Sequence, residues 1–156
     1  MTPPPEPGRR IIQASWLGTA LFTVLAVGAA IAPDALAAPS AVLDLVLFAL
    51  GFLAFCWSLL RAAGRSREEE LSVAGLWFLA GGSAPRSVQR DLLVPLGIQV
   101  VVGVATAAVR PFTPLAFGIL VPLYGIGLAG VWGAAFGTFG PRSSPERRRP
   151  KPSRPA

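Results

Sequence analysis

Four long apolar stretches dominate this chain of 156 residues, and its charged residues lie almost entirely outside them. The stretches cover residues 11–32, 41–60, 92–109 and 115–136. A helix rises about 1.5 Å per residue and a hydrocarbon core is about 30 Å thick, so each stretch approaches or reaches the length of a membrane span. Charged residues make up only 14% of the chain, whereas about a quarter is usual in a soluble domain. We therefore predict an all-α fold, a four-helix transmembrane bundle.

The first apolar stretch also has features of a secretory signal. It follows Arg9 and Arg10 and precedes an Ala-x-Ala sequence at residues 35–37. The apolar part of a signal peptide has only about 7–15 residues, so the longer stretch here favours an uncleaved span. Cleavage would change the number of spans but not the orientation of the spans that follow.

The positions of arginine and lysine predict the orientation of the spans. Basic residues precede the first span, separate the second from the third and follow the fourth, and only Arg110 lies in a turn on the other side. Short cytosolic loops of membrane proteins are enriched in basic residues. Four spans with both termini in the cytoplasm place each basic segment on the cytosolic side.

Two proline-rich tails, residues 1–10 and 141–156, are predicted to be disordered. The second tail is strongly basic and can attract anionic lipid headgroups, although a solvated topology signal is the simpler alternative. Its candidate lipid contacts are Arg147, Arg148, Arg149 and Lys151. The formal charge of +6 also raises nucleic-acid binding. The apolar spans explain the charge distribution better, so we predict no nucleic-acid partner.

A shorter apolar run lies between the second and third spans. Residues 71–80 would cover about 15 Å as a helix, which is half of a bilayer. Ser66 and Glu69 have the spacing of a capping box, and Gly81 and Gly82 supply a stop signal. We predict a short cytosolic interfacial helix over residues 67–80, which either lies on the membrane surface or packs against the spans.

The fourth span contains a ridge of small residues at every fourth position. The ridge consists of Gly125, Ala129, Gly133 and Gly137. Small residues let helix backbones approach closely within a bilayer. This ridge is the candidate helix-packing surface, either among the four spans or against a second copy or a partner membrane protein.

Two polar side chains are predicted to lie inside the membrane. Asp44 falls in the first turn of the predicted second span, and Gln99 lies near the middle of the third. Polar residues at membrane depth are candidates for function, here the handling of protons or cations. As structural alternatives, Asp44 could cap its helix or pair with Arg110, and Gln99 could hydrogen-bond across helices.

Two prolines fall inside the third and fourth spans. Pro95 and Pro122 each remove one backbone hydrogen bond, which frees the carbonyl groups of Asp91 and Gly118. A tolerated kink is the simpler interpretation. A broken helix that lines a transport site is the functional alternative.

The chain offers little reactive chemistry. It has no histidine, and its single cysteine, Cys56, lies in an apolar run. We find no arrangement of residues typical of acid–base or nucleophilic catalysis and no metal-ligand spacing. We therefore predict that the protein is not an enzyme and uses no cofactor or metal.

The last part of the chain resembles a set of small four-span membrane proteins of high-GC actinobacteria. The likeness covers about residues 77–142 and is strongest at "RPFTPLAFG" and "WGAAFGTF". This resemblance implies a location in the bacterial cytoplasmic membrane. That family has no established activity, so the resemblance implies no functional residues.

Two functions remain open at this stage. The first is a multi-pass membrane protein without catalytic activity, an accessory subunit that associates with itself or a partner through small-residue helix faces. The alternative is a small oligomeric transporter or channel that uses Asp44 and Gln99.

Overall fold

The computed structural model describes residues 8–66 and 72–140, which form helices and no strand. The helices are α1 (Arg9–Ile31), α2 (Pro33–Arg65), α3 (Val73–Trp77), α4 (Arg86–Val109) and α5 (Pro122–Phe136), and a 3₁₀ helix (Pro114–Leu120) directly precedes α5. Four of the described segments are long and apolar enough to cross a membrane: α1, α2, α4, and the 3₁₀ helix together with α5. The predicted all-α bundle with four such segments is confirmed.

The described helices depart from the predicted boundaries at two places near the start of the chain. Helix α1 begins at Arg9, inside the tail predicted over residues 1–10. Helix α2 begins at Pro33, so the expected turn over residues 33–40 is helical and only Ala32 separates α1 from α2. Proline is well suited to the first position of a helix, because an N–H group at that position would have no acceptor within the helix. The rest of the N-terminal tail and residues 141–156 lie outside the described ranges.

The four long segments run alternately in opposite directions between two ends of the bundle. At the first end, which we call the basic end, Arg65 bonds to the Ala134 carbonyl and the Thr138 N–H donates to the Ser83 carbonyl. At the opposite end, Arg110 bonds to the Ala30 carbonyl. Residues 8 and 140, the first and last that the structure describes, therefore belong to chain segments that leave from the basic end.

Helix α5 is the most enclosed of the long helices. In the most apolar 18-residue stretch of the fourth segment, 50% of the residues are buried inside the bundle. In the corresponding stretch of α2, 22% of the residues are buried. Small residues on different sides of α5 allow the neighbouring helices to approach it closely. A Cβ on Gly125 would lie 3.0 Å from the Leu96 side chain of α4, and a Cβ on Gly127 would strike the Gly51 carbonyl of α2.

The helix predicted over residues 67–80 is shorter than expected and packs against the bundle. Helix α3 begins after Ser72, whose hydroxyl accepts a hydrogen bond of 2.9 Å from the Gly75 N–H. Ser66, the expected cap, instead follows the end of α2, and its hydroxyl donates to the Ala63 carbonyl. Leu76 and Leu79 are buried against α5. Residues 67–71, including Glu69, lie outside the described part of the chain.

Candidate functional site

A group of buried polar side chains lies inside the bundle and forms the candidate site, which we call the polar seam. Three members, Ser15, Thr19 and Thr23, recur every fourth residue and therefore share one face of α1. Helix α2 contributes two more members, one turn apart, and α4 contributes one. The seam consists of the buried residues Ser15, Thr19, Ser40, Asp44 and Gln99 and of Thr23, which is half-buried but has a buried hydroxyl oxygen.

Gln99 connects α4 to α1 within the seam. Its amide nitrogen Nε2 donates a hydrogen bond of 2.6 Å to the Thr19 hydroxyl, which donates in turn to the Ser15 carbonyl at 2.8 Å. The predicted hydrogen bond of Gln99 across helices is therefore present. Its side chain is completely buried (0% exposed), and its oxygen Oε1 lies against Gly125 of α5.

Asp44 lies deep in the bundle instead of at a helix end. Because α2 begins at Pro33, Asp44 is about three turns into the helix and caps nothing. It is 1% exposed. A Cβ on Gly118 would lie 3.6 Å from its Oδ2 atom and 3.3 Å from the Phe22 ring, so the carboxyl group lies beside the 3₁₀ helix and α1.

Arg110 does not hold Asp44 as the sequence had suggested. Its Nη2 atom donates to the Ala30 carbonyl at 3.3 Å, at the end of α1. Within residues 8–66 and 72–140, the one ion pair found joins Arg90 to Asp91, near the start of α4. Asp44 therefore has no cationic partner among the side chains that the structure describes.

Most members of the seam have unused hydrogen-bonding capacity. Five of the six buried side-chain polar atoms without a hydrogen-bond partner in the described ranges belong to it: Ser15 Oγ, Thr23 Oγ1, Ser40 Oγ, Asp44 Oδ1 and Gln99 Oε1. An unsatisfied buried polar group costs about 1–3 kcal/mol of stability. These five atoms can each form a further hydrogen bond, with a water molecule or with a bound ligand.

Irregular backbone lies next to Asp44. Pro122 does not interrupt an α-helix, as the sequence had suggested, but begins α5 directly after the 3₁₀ helix. The Gly118 carbonyl is not freed either, since the Val121 N–H donates to it at 3.2 Å. A Cβ on Gly103 would lie 2.6 Å from that carbonyl oxygen, so α4 touches the 3₁₀ backbone. Non-helical backbone at membrane depth is tolerated where protein covers it in this way.

The small-residue ridge of α5 is covered within the chain. A Cβ on Gly125 would lie 2.8 Å from Gln99 Oε1. The same substitution at Gly133 would strike the Leu76 carbonyl of α3, and Ala129 is fully buried. A Cβ on Gly137 would lie 2.9 Å from the Phe139 ring. The ridge therefore serves contacts inside one chain and is not part of its outer surface.

Arg65 has a structural role that the sequence analysis did not identify. Its Nη1 atom donates to the Ala134 carbonyl at 2.9 Å and its Nη2 atom to the Gly137 carbonyl at 3.1 Å, while its guanidinium lies 5.4 Å from the centre of the Phe139 ring. The last carbonyl groups of a helix lack intrahelical partners and attract cations. Arg65 thus fastens the end of α2 to the end of α5.

A cavity lies at the basic end, away from the seam. It has a volume of about 440 Å³ and is bounded by the start of α4, Trp132 and Phe136. Its polar side chains are three hydroxyl groups and the indole of Trp132, and one of the hydroxyl groups, Ser83 Oγ, already donates to the Gly75 carbonyl. None of its lining residues is titratable, whereas the seam contains Asp44.

Comparisons with known proteins give no functional assignment for this chain. The chain matches no protein-family model, no curated protein and no solved structure. Over the residues that the structure describes, no group of three or more His, Cys, Asp or Glu residues could hold a metal ion. The fold and the site together define an all-α bundle with four candidate membrane spans and a polar seam among them.

Proposed function

We propose that this chain is a small transporter or channel of the bacterial cytoplasmic membrane that moves an ion along its polar seam. The observation that carries the proposal is the position of Asp44, which is 1% exposed in an apolar helix, with one carboxyl oxygen unpartnered. An ionisable side chain at membrane depth is costly and marks ion pathways and proton relays in membrane proteins. The unused oxygen of Gln99 and the hydroxyl groups of α1 extend the same chemistry along the bundle.

The location and orientation are part of this proposal. The resemblance to actinobacterial four-span proteins supports the bacterial cytoplasmic membrane. The distribution of basic residues supports cytoplasmic termini, because arginine and lysine favour the cytosolic side of short loops. The alternating course of the four segments is compatible with both termini on one side. A reporter fused after Arg154 should therefore score as cytoplasmic, and an external score contradicts the orientation.

Ion flux into proteoliposomes tests the transport function. The purified chain is reconstituted, and fluorescent indicators follow H⁺, Na⁺ and K⁺ entry under an imposed potential. We expect Asp44→Asn to abolish the flux and Gln99→Leu to reduce it. The matched control is Asp34→Asn, because Asp34 is an exposed carboxylate in the first turn of the same helix. Flux that is equal in wild-type protein, Asp44→Asn and Gln99→Leu contradicts the proposal.

A second candidate function is the non-catalytic interaction protein. The structure removes one support for it, because the small-residue ridge is covered within the chain. Its remaining support is the exposed apolar face of α2, which includes Leu53 and Leu60. Lipid covers such a face equally well. Crosslinking in native membranes followed by mild-detergent purification tests this candidate, and a monomer without co-purifying protein contradicts it.

The basic tail gives this second candidate a separate test. Arg147, Arg148, Arg149 and Lys151 lie outside the described residues, and their contact with anionic lipid is a proposal from the sequence. Each basic residue near an anionic surface contributes about 1 kcal/mol of attraction. We compare the full chain with one truncated after Gly140 and measure recruitment of anionic lipid in mixed-lipid nanodiscs. Equal recruitment by the two chains contradicts the lipid contact.

A further inference from the structure

We infer that the ion handled by the polar seam is the proton, and that the carboxyl group of Asp44 takes it up and releases it. This inference rests on the proposed transport function and names its substrate. It depends on three features of the described structure: the linear arrangement of the seam, the lack of a cation near Asp44, and the types of oxygen that are unpartnered.

The oxygens of the seam form a line instead of a shell. Ser15 and Thr23 are separated by about 12 Å along α1, at about 1.5 Å per residue. Asp44 and the Phe22 ring both lie against Gly118, which places Asp44 toward the Thr23 end of that line, whereas Gln99 bonds to Thr19 near its middle. A dehydrated metal cation needs about six or more oxygens around one point. A proton needs only a succession of groups that can pass it on.

No charged side chain of the neighbouring elements lies at the level of Asp44. Helices α1 and α4 carry theirs at the basic end: Arg9, Arg10, Arg86, Arg90 and Asp91. The 3₁₀ helix has no titratable group, and α5 contributes Tyr124, whose hydroxyl donates to the Ala14 carbonyl at 2.8 Å. On α2 itself, Asp34, Arg61 and Arg65 lie near the helix ends, and Cys56 lies more than two turns from Asp44. The Asp44 carboxyl group therefore has no charged partner at its level among the described residues, and in its protonated form it has an O–H to donate.

The unpartnered oxygens suit proton exchange on both sides of Asp44. Ser40 lies one turn from Asp44 on the same face of α2, toward the opposite end of the bundle. Thr19, Gln99 and Ser15 lead toward the basic end. Hydroxyl groups both donate and accept hydrogen bonds, and a water molecule can bridge such buried groups.

The proposed step is a simple proton transfer. The O–H bond of the Asp44 carboxylic acid breaks, and its electron pair stays on the carboxylate oxygen. The proton bonds to a water molecule or a hydroxyl group of the seam on one side. A proton that arrives from the other side restores the acid, so no oxidant, reductant or metal is required.

Proton flux under an imposed potential tests the inference. Proteoliposomes that enclose a pH-sensitive dye are energised with a K⁺ gradient and a K⁺-selective ionophore, and Na⁺ entry is followed in parallel. We expect proton entry in wild-type protein, a loss of about a hundredfold in Asp44→Asn, and retention in Asp34→Asn. Ser40→Ala should slow entry less, because a water molecule can replace the hydroxyl group.

The outcomes separate this inference from the transport proposal. Flux of Na⁺ or K⁺ that depends on Asp44, without proton flux, overturns the inference and leaves the transport function standing. Absence of any ion flux in the folded wild-type protein overturns both. Proton flux that is unchanged in Asp44→Asn also overturns both, because the conducted ion then bypasses the seam.

A second measurement uses only the wild-type protein, so it does not depend on whether a variant folds. A hydrophobic carbodiimide reacts with protonated carboxyl groups in apolar surroundings, and mass spectrometry locates the adduct. We expect labelling of wild-type Asp44 that falls as pH rises and is insensitive to Na⁺ at constant ionic strength. Protection of Asp44 by Na⁺, or labelling that does not change with pH, overturns the inference.

Discussion

The basic end of the bundle and the polar seam use polar side chains in opposite ways. At the basic end, Arg65 bonds to two carbonyl groups of the α5 terminus, Ser83 bonds to the Gly75 carbonyl and Gln89 to the Phe78 carbonyl. One buried donor near this end, Trp77 Nε1, has no partner among the described residues. In the seam, Thr19 and Gln99 share a hydrogen bond, yet five oxygens in the same interior have no partner.

This difference is the opposite of what the free-energy cost of an unpaired polar group predicts. Near an aqueous interface, bulk water readily replaces a missing partner, whereas a polar group inside an apolar bundle keeps its desolvation cost unless a water molecule enters. A chain selected only for stability would satisfy its interior first. The reverse distribution fits our proposal that the basic end serves the fold and that the seam keeps hydrogen-bonding capacity for ion transport.

The largest expected effect concerns the scaffold that encloses the seam. Gly51 of α2 touches the backbone of Tyr124 in α5, so any added side chain separates these two helices. We expect Gly51→Leu to destabilise the protein by about 3 kcal/mol or more. Gly64→Leu is the matched control, since a Cβ at Gly64 meets nothing within 4 Å. Detergent-denaturation curves measure both, and equal stability of the two variants would show that α2 and α5 are not in close contact.

The next effect tests whether the basic end is structural. Arg65→Ala removes two hydrogen bonds from a charged donor and should cost about 1.5–3 kcal/mol. Arg61→Ala, one turn away, loses only an exposed contact with the Trp57 ring at 6.0 Å and should cost about 0.5–1 kcal/mol. Denaturation midpoints compare the two variants. A smaller loss for Arg65→Ala than for Arg61→Ala would remove the structural role of Arg65.

A pair of serines compares the two regions directly. Ser83→Ala at the basic end breaks a buried hydrogen bond of 2.8 Å and should lower stability by about 1 kcal/mol. Ser40→Ala in the seam deletes an unpartnered hydroxyl and should leave stability unchanged or raise it by up to about 1 kcal/mol. Opposite signs in the same denaturation assay support the comparison, whereas a loss in Ser40→Ala larger than in Ser83→Ala contradicts it.

The smallest expected effect is the coupling between Gln99 and Thr19. A double-mutant cycle with Gln99→Leu and Thr19→Val should give a coupling of about 0.6 kcal/mol, which is usual for hydrogen bonds within membranes. Gln99→Leu also removes the unpartnered Oε1 atom, and this offsets part of the stability that is lost with the hydrogen bond. A coupling of zero, measured by the same denaturation assay, would show that the two side chains do not interact in the folded protein.

The sequence identified Asp44 and Gln99 because each interrupts an apolar run. It did not identify Ser15, Thr23 and Ser40, since small hydroxyl side chains in helices usually bond to their own backbone and attract no notice. The four-residue spacing of Ser15, Thr19 and Thr23 was the available signal. Gly51 was missed because one glycine in an apolar helix does not reveal which neighbour it faces.

By itself, the amino-acid sequence determined the number of long apolar helices and the segments that carry the basic charge. Length, hydropathy and charge are properties of contiguous residues, so these features need no knowledge of packing. The tertiary structure decided that the ridge of α5 is covered, that Arg65 closes α5, and that Asp44 lies beside Gly118. These contacts join residues far apart in the chain, and they depend on which helix faces meet, which is decided by the packing of all the helices together.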